Sequence, residues 1–201
     1  MFDIANRSTA SREKWRPVAN ARSGPVPVDV SLAWLSIESD GVYTTSYYGA
    51  LGLFQLNAEE AKLVGIDLAR TISDPDYSFD AGISYITKYA MPKAEAAIKR
   101  NNLGWTDGES YWGMVKLAHA LPVGLDLFPQ KFRAANGTNP SSYRELMAWV
   151  GKQDWSGNNW GSQVPSVIDN TLTIARAAPS GSYVGLLLLA AAGYGLYRWL
   201  S

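Results

Sequence analysis

The stretch "SIESDGVYTTSYYGALGLFQLN", residues 36–57, sets the problem. A carboxylate, Glu38, closes one apolar run. After a short polar loop comes a Gly-rich apolar run carrying a single amide, Gln55. Upstream, from Asp29 to Ser39, apolar residues fall at Val30, Ala33, Trp34 and Ile37, the spacing of one helix face. Gly41 is placed to end that helix in a left-handed conformation. Glu38 therefore belongs at a helix end. It is either a solvated terminal carboxylate or an acid held against a cleft.

Further out, the chain reads as a succession of helices. Residues 1–27 are expected to form an arm, because two prolines and a glycine in 20–30 discourage regular structure. Residues 57–66 read as a helix capped by Asn57, with Glu59 and Glu60 in its first turn and Gly65 at its end. A turn at Asp74-Pro75 opens a long helical pattern through Ile83, Ile86 and Tyr89. Residues 108–121 form another, stopped by Pro122 and Gly124, and 141–153 a shorter one capped by Ser141 or Ser142. Residues 154–163 read as a loop and 164–178 as a last helix. No strand-like alternation persists and no repeat period occurs, so the part before 179 is expected to be mainly α.

Composition narrows the chemistry. The chain has 201 residues, enough for a real core. Its 18 basic and 18 acidic residues cancel, which gives no electrostatic case for a nucleic-acid partner. There is no cysteine, hence no disulfide, thiolate nucleophile or Cys-type zinc site, and the single histidine, His119, excludes multi-His metal sites. Asp74 to Asp80 lack the spacing and terminal Glu of an EF-hand, so neither metal nor cofactor is expected. Eight Trp and eleven Tyr suit sugar faces, a helical core or a membrane interface. The first twenty residues lack the apolar core and cleavage site of a secretory signal. From Ala177 to Tyr197 there is no charge, and 183–197 is apolar apart from its glycines and tyrosines. With about 20 apolar residues needed for a span, 179–201 is expected to be a C-terminal transmembrane anchor in a lipid bilayer. Arg176 and Arg198 flank it evenly and set no orientation.

Three blocks stand in order: Glu38-Ser39, then Gly49, Ala50, Gly52, Leu53 and Gln55, then Asp74-Pro75, Gly82, Tyr85 and Ile86. Together they resemble the lytic transglycosylases of the lysozyme-like superfamily, whose pattern is E-S, G-A-x-G-L-x-Q and D-P-x-x-N-x-x-x-G-x-x-Y-L. The resemblance covers about residues 28–130. It departs at Asn57 and Ala58, where the family commonly has a proline, and at Ser78, where it has Asn. The family's A-Y-N-A-G motif is replaced by "KLAHALP", residues 116–122, which sets Ala118 on the Tyr and His119 on the Asn.

The resemblance implies a lysozyme-like transglycosylase domain over 28–178, followed by the anchor. It implies cleavage of the β-1,4 bond between N-acetylmuramic acid and N-acetylglucosamine in peptidoglycan. Glu38 is the implied acid and then base, giving a 1,6-anhydro product without a second carboxylate. Ser39, Ser46, Gln55, Tyr85 and His119 are the implied substrate contacts. A general acid at neutral pH needs apolar surroundings that raise its pKa, and Ile37, Val42, Leu51 and Leu53 are the nearby apolar side chains. If the chemistry were hydrolytic, a second carboxylate would be required, and Asp40, Asp74, Asp76 and Asp80 are the nearest in sequence. Trp105, Trp112, Trp155 and Trp160 could stack sugars, although core packing is the default for each. Size and anchor suit a bacteriophage virion protein that opens the wall during genome entry, set in a virion membrane beside other virion proteins; a bacterial envelope is the other setting. A hydrolytic goose-type muramidase and a non-catalytic virion membrane protein keeping the fold remain as alternatives.

Overall fold

The computed structural model describes residues 4–44 and 46–179, and it is mainly helical. The chain divides between Lys93 and Ala94 into two compact units. Beyond Pro179 the expected anchor lies outside the described residues. Among the described residues no helix is long and apolar enough to cross a membrane.

The first unit opens with α1 (Ile4–Arg22) and α2 (Val28–Ser39), which pack on each other. Most of the segment expected to be an arm is thus a helix. Its buried stripe is narrow, with Ser11, Trp15 and Ala19 spaced four apart and Ser23 continuing the spacing just beyond the helix, and only one large apolar side chain marks it in sequence. Pro17 sits inside α1 and removes one ladder hydrogen bond. Trp15 compensates. Its indole N–H donates to the Gly41 carbonyl (2.9 Å), and its ring stacks on Phe79 (6.2 Å, 12°).

The end of α2 is a left-handed stop, with Asp40 at φ 51° and Gly41 at φ 72°. Asp40 takes the capping conformation first. Gly41 is required for space as well, since a Cβ there would run into Ser11 and Trp15. A short antiparallel hairpin follows, β1 (Ser46–Tyr47) and β2 (Ala50–Leu51), joined by Tyr48 and Gly49. Then α3 (Ala58–Val64) begins at a full capping box. Asn57 accepts from the Glu60 N–H, and Glu60 accepts from the Asn57 N–H.

A 3₁₀ turn (Ala69–Ile72) leads to α4 (Pro75–Tyr85), capped by Asp74 with proline at its first turn. A π-helical turn (Ile86–Ala90) continues into α5 (Met91–Arg100). Phe54 meets Phe79 edge-on (5.8 Å, 74°) and covers the face of α4 where Gly82 lies. Arg22 reaches Asp76 (2.9 Å) and Asp80 (2.7 Å) on the surface of the same helix.

In the second unit α6 (Gly108–Ala120) is buried on almost every side and packs most extensively on α9 (Val164–Ala177). Between them run α7 (Gly124–Asn136) and α8 (Tyr143–Val150). Pro122 and Gly124 do stop α6, but Gly124 is also the first residue of α7, a helix the sequence reading left out. Pro129 lies in its interior, where a proline ordinarily signals a break. Phe128 and Phe132, both buried, hold α7 in place.

Gly82→Ala would place a methyl group inside the Phe54 ring position. It is expected to lower the unfolding free energy by roughly 1–3 kcal/mol, as overpacking does. Urea unfolding followed by tryptophan fluorescence checks this. Unchanged stability would mean that Phe54 has room to yield.

Candidate active site

Glu38 is the penultimate residue of α2 and is half-buried. The next residue, Ser39, is 4 % exposed. Its hydroxyl lies 2.8 Å from the Leu53 carbonyl and 3.1 Å from the Leu35 carbonyl. The N–H of the same Leu53 donates to Ser78 Oγ on α4 (2.9 Å). Both polar groups of one buried residue are therefore satisfied by hydroxyls from two different helices. This arrangement brings all three sequence blocks together in one unit. Ser78 fills the position where the resembling family carries Asn, and it does so as a hydrogen-bond acceptor for the Leu53 N–H.

The chain between these anchors is tightly folded. Leu51 and Leu56 exchange both backbone hydrogen bonds (2.9 and 3.1 Å) around Gly52 to Gln55. Gly52 has φ 79° and no room for a Cβ, which would strike Ser78 and Thr71. Gln55 is 6 % exposed, donates from Nε2 to the Gly52 carbonyl (2.8 Å), and is held at φ 49°. A left-handed non-glycine residue costs about 1–2 kcal/mol, and such strain clusters at functional sites. The sequence singles out Gln55 as a candidate site residue. Its strained backbone was not readable there.

Tyr85 is 1 % exposed and donates its hydroxyl to Glu60 Oε1 (3.0 Å). That hydroxyl, on a residue the resemblance implies as a substrate contact, is hydrogen-bonded inside the protein. Burial first, then the charge and hydrogen bond of Glu60, then Tyr89 and Glu38, push the phenol well above the ordinary tyrosine range. Glu38 and Glu60 thus act on the same phenol. Glu60 was placed from sequence only as a favourable first-turn acid. The Asn57-x-x-Glu60 capping box was its legible signal, but the bond to Tyr85 needed the fold.

Of the four acids considered as second carboxylates, three are bound to arginines. Asp74 binds Arg70 (2.7 Å) and caps α4, which holds its carboxyl below the usual range through the Tyr77 N–H first and Arg70 second. Asp76 and Asp80 bind Arg22. Asp40 is exposed at the left-handed helix stop. Of the expected apolar walls, Leu53 is buried and Ile37 and Leu51 are half-buried. Val42 is 48 % exposed and walls nothing off. Ser46 lies in β1, paired with Leu51.

His119 belongs to the second unit, half-buried in the last turn of α6. Trp105, Trp112 and Trp155 are core residues there, and Trp160 packs on Phe128 and Trp155. An open groove of about 710 Å³ runs between the end of α8 and α9; Trp155 lines it, whereas Glu38, Ser39, Ser46, Gln55, Tyr85 and His119 do not. Among the described residues no group of three or more His, Asp and Glu side chains is arranged to hold a metal ion.

Removing either hydroxyl strands half of a buried peptide. Ser39→Ala and Ser78→Ala are each expected to cost about 1–3 kcal/mol of stability, the penalty for an unsatisfied buried polar group. Denaturant unfolding of each variant measures it. A cost near zero for both would show that Leu53 has other partners to turn to.

No family model matches this sequence, and no curated protein matches it.

Proposed function

We propose that the chain is a peptidoglycan lytic transglycosylase with a lysozyme-like domain, in which Glu38 is first the acid and then the base. One observation carries the reading. The Ser39–Leu53–Ser78 hydrogen bonds hold the end of the Glu38 helix, the Gly-rich turn with Gln55 and the third block in a single arrangement. The three blocks are thus neighbours in space and not merely in order.

In this mechanism the protonated Glu38 gives its proton to the glycosidic oxygen as the bond to the muramic anomeric carbon breaks. The substrate's N-acetyl group supports the electron-poor carbon. The Glu38 carboxylate then takes the proton of the muramic 6-hydroxyl while that oxygen closes on the anomeric carbon. The 1,6-anhydro ring forms, no water is consumed, and Glu38 ends protonated as it began. Glu38 is half-buried, and its charge and that of Glu60 both act on the buried Tyr85 phenol. Gln55, whose amide nitrogen donates to the Gly52 carbonyl, is assigned to the wall under the sugar's N-acetyl region. Ser39 and Tyr85 support the site through their internal bonds, and Ser46 is assigned as an outer contact.

The lyase is favoured over the hydrolytic muramidase by the state of the other acids. Glu60 accepts from Tyr85 on one oxygen and from the Asn57 N–H on the other, so it is poorly placed to activate water. Asp74, Asp76 and Asp80 are held by arginines. The apolar segment 179–201 is assigned as a membrane anchor, in a bacteriophage virion that opens the wall locally.

The test is digestion of purified peptidoglycan by the full-length chain, with Glu38→Gln in parallel. Glu38→Gln is expected to fold normally and to lose at least about 100-fold in cleavage rate, the scale of general acid catalysis. Cleavage unaffected by Glu38→Gln would remove Glu38 from the chemistry. No cleavage by the wild type would leave a binding or structural role for the fold.

A further inference from the structure

The hairpin that follows Glu38 carries an oddity. Tyr48 and Gly49 form its two-residue connection, with φ 52° and 83°, the signs of a type I′ turn. That turn suits Asn, Asp or Gly in its first position, and a bulky side chain there sits on a backbone it disfavours. Burial could offset the strain, but Tyr48 is fully exposed, at 109 % of its reference area. Among the described residues the exposed large apolar side chains are Val42, Tyr48, Leu63, Ile72 and Val123. Tyr48 is the aromatic one, and the one on a left-handed backbone.

The ring is also held on a firm mount. Ser46 pairs with Leu51 and Tyr47 with Ala50, and Leu51 is bonded in turn to Leu56. Leu53, within that loop, is fixed to the end of the Glu38 helix through Ser39. A hairpin hydrogen-bonded to the segment that Ser39 anchors therefore presents an aromatic face to solvent at a cost in local strain.

We propose that Tyr48 is a glycan-binding residue, its ring forming a platform on which a pyranose of the strand stacks next to the bond cut at Glu38. The inference rests on the transglycosylase reading and adds a binding position to it. The apolar C–H face of the sugar covers the ring, and the phenol remains free to hydrogen-bond a sugar hydroxyl. The contribution is to binding, since the ring takes no part in proton transfer.

Tyr48→Asn separates this role from a structural one, because the two predict opposite signs for stability. Full-length protein carrying Glu38→Gln, which keeps the strand uncut, is titrated against purified peptide-free glycan strands, with and without Tyr48→Asn or Tyr48→Phe. Tyr48→Asn is expected to weaken binding about 3- to 10-fold while raising the melting midpoint by roughly 2–4 °C, as the strain at this turn is relieved. Tyr48→Phe keeps the ring and is expected to bind within about 2-fold of the parent. Unchanged binding in Tyr48→Asn overturns the platform. So does a loss that appears only in co-sedimentation with phosphatidylglycerol vesicles, which would give the ring to a lipid surface. If the Glu38→Gln parent binds no glycan while wild-type protein leaves peptidoglycan intact, the underlying reading fails and the platform with it. A parent that binds glycan but is indifferent to Tyr48 sinks the platform alone.

Discussion

The structure around Glu38 depends on the two polar groups of Leu53. A buried N–H and carbonyl with no partner would each cost about 1–3 kcal/mol, and a sharp turn such as this one cannot satisfy them within itself. Ser39 donates to the carbonyl and Ser78 accepts from the N–H. The rest follows from that pair of bonds. Once Leu53 is fixed, the Gly52–Gln55 turn must cross between α2 and α4. Gly52 then has no space for a side chain, Gln55 is forced into a left-handed conformation, and Phe54 is driven against the Gly82 face. Gly52 is the consequence of threading backbone through a narrow place, whereas Gly49 has open space around it and serves the hairpin connection.

Strain is distributed unevenly. Among the described residues four non-glycine positions have positive φ: Asp40, Tyr48, Gln55 and Asn102. Three of them lie within the stretch from Ser36 to Asn57. Each follows from a different local demand: a helix stop, a hairpin connection and a turn bonded across its base. A segment concerned only with stability would place glycine or asparagine at such sites. The strained positions are concentrated in the stretch that carries Glu38, and such strain is a pointer to function to be tested there.

Much of the helical framework was legible because its signals are local. Asn57 with Glu60, Asp74 with Pro75, and Ser142 with Glu145 announce helix starts by chemistry that acts over three residues. Gly65 ends α3 as read. Other features were hidden by the same locality. The stripe of α1 contains one tryptophan among small residues, so its burial is decided by Phe79 and Gly41, far away in sequence. Pro129 makes α7 look broken although Phe128 and Phe132 anchor it. At the site, Glu38 and Gln55 stood out by their blocks. The occupation of the Ser39 and Tyr85 hydroxyls, and the place of Glu60 between Asn57 and Tyr85, are tertiary facts that no spacing could supply.

The proposed cleavage consumes no water, and water itself can be made to report. Peptidoglycan would be digested by the full-length protein in water labelled with heavy oxygen, and the new muramic ends weighed by mass spectrometry. The predicted result is an unlabelled 1,6-anhydro end on every product strand, because the oxygen joined to the anomeric carbon comes from the sugar's own 6-hydroxyl. Heavy oxygen at the anomeric carbon would contradict the account and make the protein a hydrolase, with a water-activating carboxylate still to be found.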